Sequence, residues 1–172
     1  MKRFIFICLL VFGSVFMVSA SDVLLSFGPW TFITDDESIA DGLYPYGGLS
    51  IGLSERLEAE LFVVAEATPE PFGSVFFGGG LRGLIVGDRA ETYLNMFVDL
   101  DFLYGLDFST ESLVHNRCLS LRISPLVVGT PYTGTRDRMF TVGALWNFDS
   151  GELSLIWNVL IFDIFLNKTP IN

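Results

Sequence analysis

The amino-acid sequence predicts an all-β fold, an eight-stranded antiparallel up-and-down barrel. Three observations carry that expectation. Apolar residues recur at every second position over long stretches, which puts them on one face of an extended strand. Eight such stretches are separated by short segments rich in Gly, Asp, Ser and Pro. After the first twenty residues the longest apolar run, 153–166, is interrupted by Ser154, Asn158 and Asp163. It falls short of the roughly eighteen residues that a spanning helix needs.

The chain opens with a segment outside the barrel. Lys2 and Arg3 give a basic start, Phe4 to Val18 is largely apolar, and Val18-Ser19-Ala20 supplies the small residues that a signal peptidase requires. Residues 1–20 therefore read as a cleaved signal peptide and 21–172 as one β-barrel domain. Cys8 is lost with the leader and Cys118 stands alone, so no disulfide within the mature chain holds the fold.

The strands follow in order. The first, 22–34, and the fourth, 74–86, have alternation blurred by glycines; Gly78-Gly79-Gly80 in the fourth suits a kink or bulge at a barrel corner. In the second, 43–53, Leu49, Ile51 and Leu53 oppose Ser50 and Gly52. In the third, 57–68, Leu57, Ala59, Leu61 and Val63 oppose Glu58, Glu60 and Glu66. The fifth, 92–107, is the clearest: Leu94, Met96, Val98, Leu100, Phe102 and Tyr104 share a face, with Asn95, Asp99 and Asp101 between them. The sixth, 117–128, sets Leu119, Leu121 and Ile123 against Ser120, Arg122 and Ser124. The seventh, 139–148, sets Phe140, Val142, Ala144, Trp146 and Phe148 against Thr141, Gly143 and Asn147. The eighth, 152–165, places Leu153, Leu155, Trp157, Val159 and Ile161 opposite Ser154 and Asn158.

The connections agree with these faces. A three-residue loop at Ser54-Glu55-Arg56 sets Leu53 against Leu57 and Gly52 against Glu58, and a two-residue turn at Ser150-Gly151 sets Trp146 against Leu155. Apolar meets apolar in both. Gly87-Asp88-Arg89 is a further tight connection, while 34–42, 69–73, 109–116 and 129–138 read as longer loops.

Charge and composition then say which face meets which medium. Without Lys2 and Arg3 the chain has 8 basic residues against 20 acidic, a formal −12, and Lys168 is its only lysine. That balance excludes a nucleic-acid partner, whose phosphates call for cations. Charged residues make up 17% and apolar residues 51%, against about 25% charged in average soluble proteins, so part of the surface is expected to lie out of water. In lipid a sheet spans only when it closes on itself and pairs every backbone amide. The fold class expected is thus a transmembrane β-barrel whose charged face points inward. Arg82, Asp99, Asp101 and Arg122 are expected to form a ladder inside, with Glu58 and Glu60 joining the interior charge network. Leu94, Met96, Val98, Leu100, Phe102, Leu119, Leu121, Ile123, Val142, Trp146, Leu155, Trp157 and Val159 are expected to face lipid. Trp30, Tyr44, Tyr46, Tyr104, Trp146 and Trp157 sit near strand ends, where aromatic residues form girdles at the membrane boundary. An interior of this size holds side chains rather than an open pore.

Motifs for chemistry are sparse. His115 is the only histidine, with Glu111 and Ser112 nearby, and a hydrolase needs such groups within hydrogen-bond reach; they fall in a polar loop. Asp35-Asp36-Glu37 lacks the regular ligand spacing of a calcium loop. The expectation is a protein that is not an enzyme, with no catalytic residues, no cofactor and no metal site.

The alternation over 22–165 resembles that of small eight-stranded bacterial outer-membrane barrels, such as the transmembrane domain of outer-membrane protein A. The resemblance implies a location in the outer membrane of a diderm bacterium, contact with membrane lipid, a monomeric state and insertion by the barrel-assembly machinery. That machinery reads a C-terminal aromatic strand, a role for which Trp157, Val159, Ile161 and Phe165 are suited. Asp163 interrupts the pattern, and seven residues follow Phe165. The function expected is a structural or envelope-interaction role. The alternatives are a soluble periplasmic carrier of the lipocalin type, with its apolar face turned inward around a ligand, and an outer-membrane lipid-modifying enzyme.

Overall fold

The structure is a computed structural model that describes residues 22–33, 42–67, 73–87, 94–108, 114–130 and 134–166. The leader read at residues 1–20 and the acidic run Asp35-Asp36-Glu37 lie outside them. The described residues form eight strands: β1 (Val23–Ile33), β2 (Gly42–Ser54), β3 (Leu57–Ala65), β4 (Ser74–Val86), β5 (Leu94–Asp107), β6 (Val114–Thr130), β7 (Thr135–Asn147) and β8 (Leu153–Phe165). Each pairs antiparallel with the next, and β8 closes on β1. Closure leaves no strand edge unpaired, which removes the aggregation hazard of an open sheet.

The expected and observed strands differ most in β6 and β7. Both run further than the alternation indicated, so the connection placed at 129–138 shrinks to 131–134. Gly129 and Gly134, on either side of 130–133, have φ of 113° and 80°, a region that a side chain disfavours. The short connections Glu55–Arg56 and 131–134 then fall at the end of the barrel where β1 starts and β8 ends, together with 87–93. The connections 34–41, 66–73, 108–113 and 148–152 fall at the opposite end.

Two registers also differ in detail. Gly52 does oppose Glu58, but Ser54 rather than Leu53 sits across from Leu57, because a shift follows Gly52. Trp146 pairs with Leu153, and Leu155 with Ala144. That slip is of two residues, which preserves which side each chain faces.

A row of extra residues crosses three strands. In β6 Pro125 and Leu126 both lie away from the interior, as do Met139 and Phe140 in β7 and Val159 and Leu160 in β8. Leu126 pairs with Met139 and Met139 with Leu160, so the insertions are aligned and the three strands keep their mutual register. The register shifts that accompany the row lie at its borders, between Asn95 and Phe97 on the β5 side and between Phe27 and Thr31 on the β1 side. Pro125 has no N–H for the ladder, and Phe140 takes φ 56°. Each extra residue inverts the alternation, as a bulge does. Below the row, odd positions of β6 and β8 and even positions of β7 turn inward.

This inversion corrects the reading of β8. Ile161 is buried inside rather than facing outward with Val159, and Phe165 is inward too. Phe162, Ile164 and Leu166 are the outward apolar residues of that end. Asp163 interrupts nothing, because it occupies an interior position.

The Gly78-Gly79-Gly80 run carries no bulge; its pairing with β3 and β5 is continuous. Its purpose is space. A Cβ on Gly78 would lie 2.2 Å from the Phe62 ring, and one on Gly80 would lie 2.4 Å from the Asp101 carboxylate. The missing side chains admit these larger neighbours into the narrow lumen. Gly78→Val is expected to destabilise by about 1–3 kcal/mol through overpacking, and Gly78→Val with Phe62→Ala to recover part of it, as read by denaturant unfolding.

Candidate functional site

The inward residues stack in layers along the barrel. Nearest the end where β1 starts and β8 ends lies a small apolar layer of Leu84, Phe97 and Val127. Above it is a belt of ions. Towards the other end Trp30, Phe32, Tyr44, Phe62, Phe76 and Leu103 join one apolar cluster. Trp30 stacks on Tyr46 at 5.3 Å between centroids, and Phe32 meets Tyr44 edge-on at 4.6 Å. Trp30, Tyr44 and Tyr46 are thus fully enclosed and take no part in an outer girdle. Their even numbers match Ser50 on β2 and Ser26 on β1, so the same alternation that turns Leu49 outward turns them in. Tyr104, Trp146 and Trp157 point outward.

The ion belt is built around Arg82. Its Nε donates to Asp99 at 2.5 Å, Nη1 to Glu58 at 3.1 Å and Nη2 to Glu60 at 2.6 Å. Arg122 donates to Asp101 from Nη2 at 2.6 Å, and Ser120 donates to the same carboxylate at 3.0 Å. Tyr46 donates its hydroxyl to Glu60. The structure thus splits the expected ladder in two, Arg82 with Asp99 and Arg122 with Asp101. It joins the halves through Glu60, whose carboxylate lies 3.8 Å from Arg122.

Three further ions belong to the belt. Arg136 donates to both oxygens of Glu58, at 2.6 and 2.9 Å, and to Asp163 at 2.7 Å; Arg138 donates to Asp163 at 3.0 Å. Arg82, Arg122, Arg136 and Arg138 are all at most 2% exposed. Aromatic faces cover two of the guanidiniums closely: Arg122 lies 4.3 Å from the Trp30 ring centroid and Arg136 lies 4.9 Å from that of Phe97, a contact that favours cations. Isolated charges out of water are costly, and pairing with hydrogen bonds offsets that cost. Glu66 is buried nearer the other end, on the side of the 66–73 connection.

Arg136 and Arg138 escape a sequence reading because they sit among Gly129, Pro131, Gly134 and Asp137, a loop composition. Asp163 escapes it because its phase disagrees with Asn158. The available signal was Pro125 in mid-strand, which marks where alternation must break, followed by two arginines spaced by two.

The outer wall is apolar. Leu94, Leu100, Phe102, Leu121, Ile123, Val142, Trp146, Leu155, Trp157 and Val159 are exposed, and Met96, Val98 and Leu119 are part-exposed outward positions. Leu25, Leu49, Leu61, Val63, Phe77 and Leu81 continue the wall around β1 to β4. Apolar surface of this extent is foreign to soluble monomers, whose contiguous patches reach only a few hundred Å², roughly. A carrier of the lipocalin type needs an apolar lining around a hollow; here paired ions and packed rings occupy the inside.

The wall turns polar towards the 108–113 end. On β6 the outward series Ile123, Leu121, Leu119 continues as Arg117 and His115. His115 Nδ1 is 2.6 Å from the Tyr104 hydroxyl, so it stands on a strand and not in a loop; Glu111 and Ser112 lie outside the described residues. Arg117 clamps Asp149 of the β7–β8 turn through Nη2 at 2.5 Å and Nε at 3.1 Å. These bonds hold the Asp149 carboxyl below the usual carboxylate range. A lowered pKa means that the clamp's contribution is full above the ordinary carboxylate value and disappears as pH falls through the lowered one. In Arg117→Gln the Asp149 midpoint, followed by NMR, is expected to rise towards its ordinary value. Among the described residues, no group of three or more His, Cys, Asp or Glu side chains is placed to hold a metal ion.

Fold and site together define a closed eight-stranded antiparallel up-and-down barrel, ionic and ring-packed within and apolar without, the architecture of the small barrels that the alternation resembles. No protein-family model matches the chain, and no curated protein matches it in sequence. It superposes on the N-terminal β-barrel domain of Pseudomonas aeruginosa OprF, known from a crystal structure. The TM-score is 0.57 at 9% identity, over 85% of this chain and 98% of that one. The likeness is one of fold.

Proposed function

We propose that the protein is an integral outer-membrane β-barrel of a diderm bacterium, with a structural or envelope-interaction role, a plugged interior and no catalytic activity. The single observation that supports this most is the opposition of the two faces: the paired ions are buried and the large apolar side chains cover the outside. Water as the surrounding solvent favours the reverse. In lipid the arrangement costs nothing on the outer wall and needs only that the interior ions be paired. The interior supports the absence of a pore, because the belt and the aromatic cluster fill the lumen across its width. The outward girdle of Tyr104, Trp146 and Trp157 fits a membrane boundary, and the change from Leu119 to Arg117 on β6 fits the level at which lipid gives way to head groups. The protein acts as a monomer that lipid surrounds, inserted by the barrel-assembly machinery.

Phase separation in a cloud-point detergent tests the reading. The mature protein is expected in the detergent phase, and to run faster on a gel unheated than boiled, as a barrel that keeps its closure does. Recovery in the aqueous phase contradicts it.

A further inference from the structure

The belt leaves several buried polar atoms for which the protein supplies no bond. They are Arg122 Nη1, Arg138 Nε and Nη1, Trp30 Nε1 and Asn158 Nδ2 among donors, with Asp99 Oδ2, Asp101 Oδ1 and Asn158 Oδ1 among acceptors. Asn158 is 2% exposed and the other residues 1% or less.

These atoms belong to one neighbourhood. The Arg122 guanidinium lies 4.3 Å from the Trp30 ring centroid. Arg122 and Arg138 each approach Glu60 to 3.8 Å, from its two different oxygens. The pairing of Thr31 with Trp157 sets Trp30 and Asn158 at adjacent inward positions of β1 and β8. Asp99 and Asp101 are successive inward residues of β5, and Asp101 binds Arg122.

We infer that a small cluster of ordered waters occupies this point of the belt, bridging Arg122, Arg138, Trp30 and Asn158 to the free oxygens of Asp99 and Asp101. The inference concerns the lumen and stands apart from the reading of the outer wall. Buried polar groups without partners are rare in folded proteins, and internal water is their usual partner. Two features favour water over an anion. Donors and acceptors are orphaned side by side, and only a molecule that both accepts and donates satisfies both. The belt also already holds five carboxylates, Glu58, Glu60, Asp99, Asp101 and Asp163, against four arginines, so an anion would add to a negative excess. At about three hydrogen bonds per buried water, the eight orphaned atoms call for about three molecules. The Leu84, Phe97 and Val127 layer on one side and the Trp30 to Phe76 cluster on the other enclose them, so their exchange with bulk water is slow.

Trp30 is the reporter, since Trp146 and Trp157 point outward. The experiment is water-to-protein cross-relaxation on the full mature protein in micelles, with the tryptophan indoles labelled. The expected result is a direct water cross peak at the Trp30 indole N–H, of the sign that marks proximity and not exchange, unchanged as chloride is raised from zero to high concentration. In Asn158→Leu, which removes one anchor, that peak is expected to weaken severalfold while the Trp146 signal stays as it was. A Trp30 resonance that shifts with chloride and lacks the water peak overturns the inference in favour of a bound anion. A Trp30 peak absent at every chloride level overturns it in favour of a dry belt, and one undiminished in Asn158→Leu overturns the cluster as placed, since Asn158 is one of its anchors.

Discussion

Arg82→Met is expected to cost about 3–5 kcal/mol of stability, the usual consequence of removing one partner from a buried ion network, and to lower the folded yield sharply. Met keeps most of the length of the side chain and removes its charge. Three carboxylates lose their counter-ion together: Asp99 at 2.5 Å, Glu60 at 2.6 Å and Glu58 at 3.1 Å. Glu58 retains Arg136 and Glu60 retains the Tyr46 hydroxyl, whereas the closest partner of Asp99 is gone. Adding Asp99→Asn to Arg82→Met should therefore recover more than adding Glu58→Gln does, a non-additivity that a double-mutant cycle reads directly. Urea unfolding from vesicles, or the fraction of heat-modifiable barrel on a gel, gives the measurement. Arg117→Met serves as the contrast. Its side chain is 60% exposed, and exposed pairs contribute little, so its unfolding midpoint should match that of the parent. A loss in Arg82→Met no larger than in Arg117→Met would show that the belt is solvated.

Leu100→Arg tests the other face and is expected to cost about 2–4 kcal/mol, the penalty for arginine against lipid near the bilayer midplane. Leu100 lies in mid-strand on β5, 50% exposed, flanked outward by Leu81 of β4 and Leu121 of β6. None of these neighbours offers a charge or a hydrogen bond. In a protein whose outer wall met water, the same change would improve solubility and leave stability nearly untouched. The sign of the effect thus separates the two environments, and the measurement is refolding yield into phospholipid vesicles. Leu53→Arg or Leu57→Arg, beside the Glu55–Arg56 turn, should be tolerated far better, because the penalty fades towards the interface.

How much of this was legible before any coordinates follows from the physics of alternation. Where one face is ionic and the other apolar, a period of two fixes both strand and orientation, so β3 and β5 can be read directly from Glu58, Glu60, Asp99 and Asp101. The match of faces holds across the β2–β3 turn because Gly52 does oppose Glu58 and the one-residue shift comes only after it, and across the β7–β8 turn because a slip of two leaves parity unchanged. Illegible was anything that breaks the period. The aligned extra residues at Leu126, Met139 and Leu160 invert three strands at once, and periodicity gives no warning of an inversion beyond a proline at 125. Ile161 and Asp163 were misread for that reason, whereas Arg136 and Arg138 were hidden in a stretch whose Gly and Pro content reads as a loop. The aromatic residues of β1 and β2 show a different limit. Trp30, Tyr44 and Tyr46 suit a boundary girdle by type and a lumen plug by parity, and parity is the stronger guide because it follows from backbone geometry rather than residue preference. Glycine runs were ambiguous as well: a kink and a hollow for a neighbour's ring call for the same residue, and only the position of Phe62 decides between them.

The three tryptophans offer the most direct test of the opposition of faces. Single-tryptophan variants retaining Trp30, Trp146 or Trp157, refolded into vesicles whose acyl chains carry bromine, report by quenching which indoles touch lipid. Strong quenching of Trp146 and Trp157, with Trp30 left bright, is the expected result. Quenching of Trp30 to the same degree, or none at Trp157, would contradict a barrel that turns its apolar wall to the bilayer and keeps its ions within.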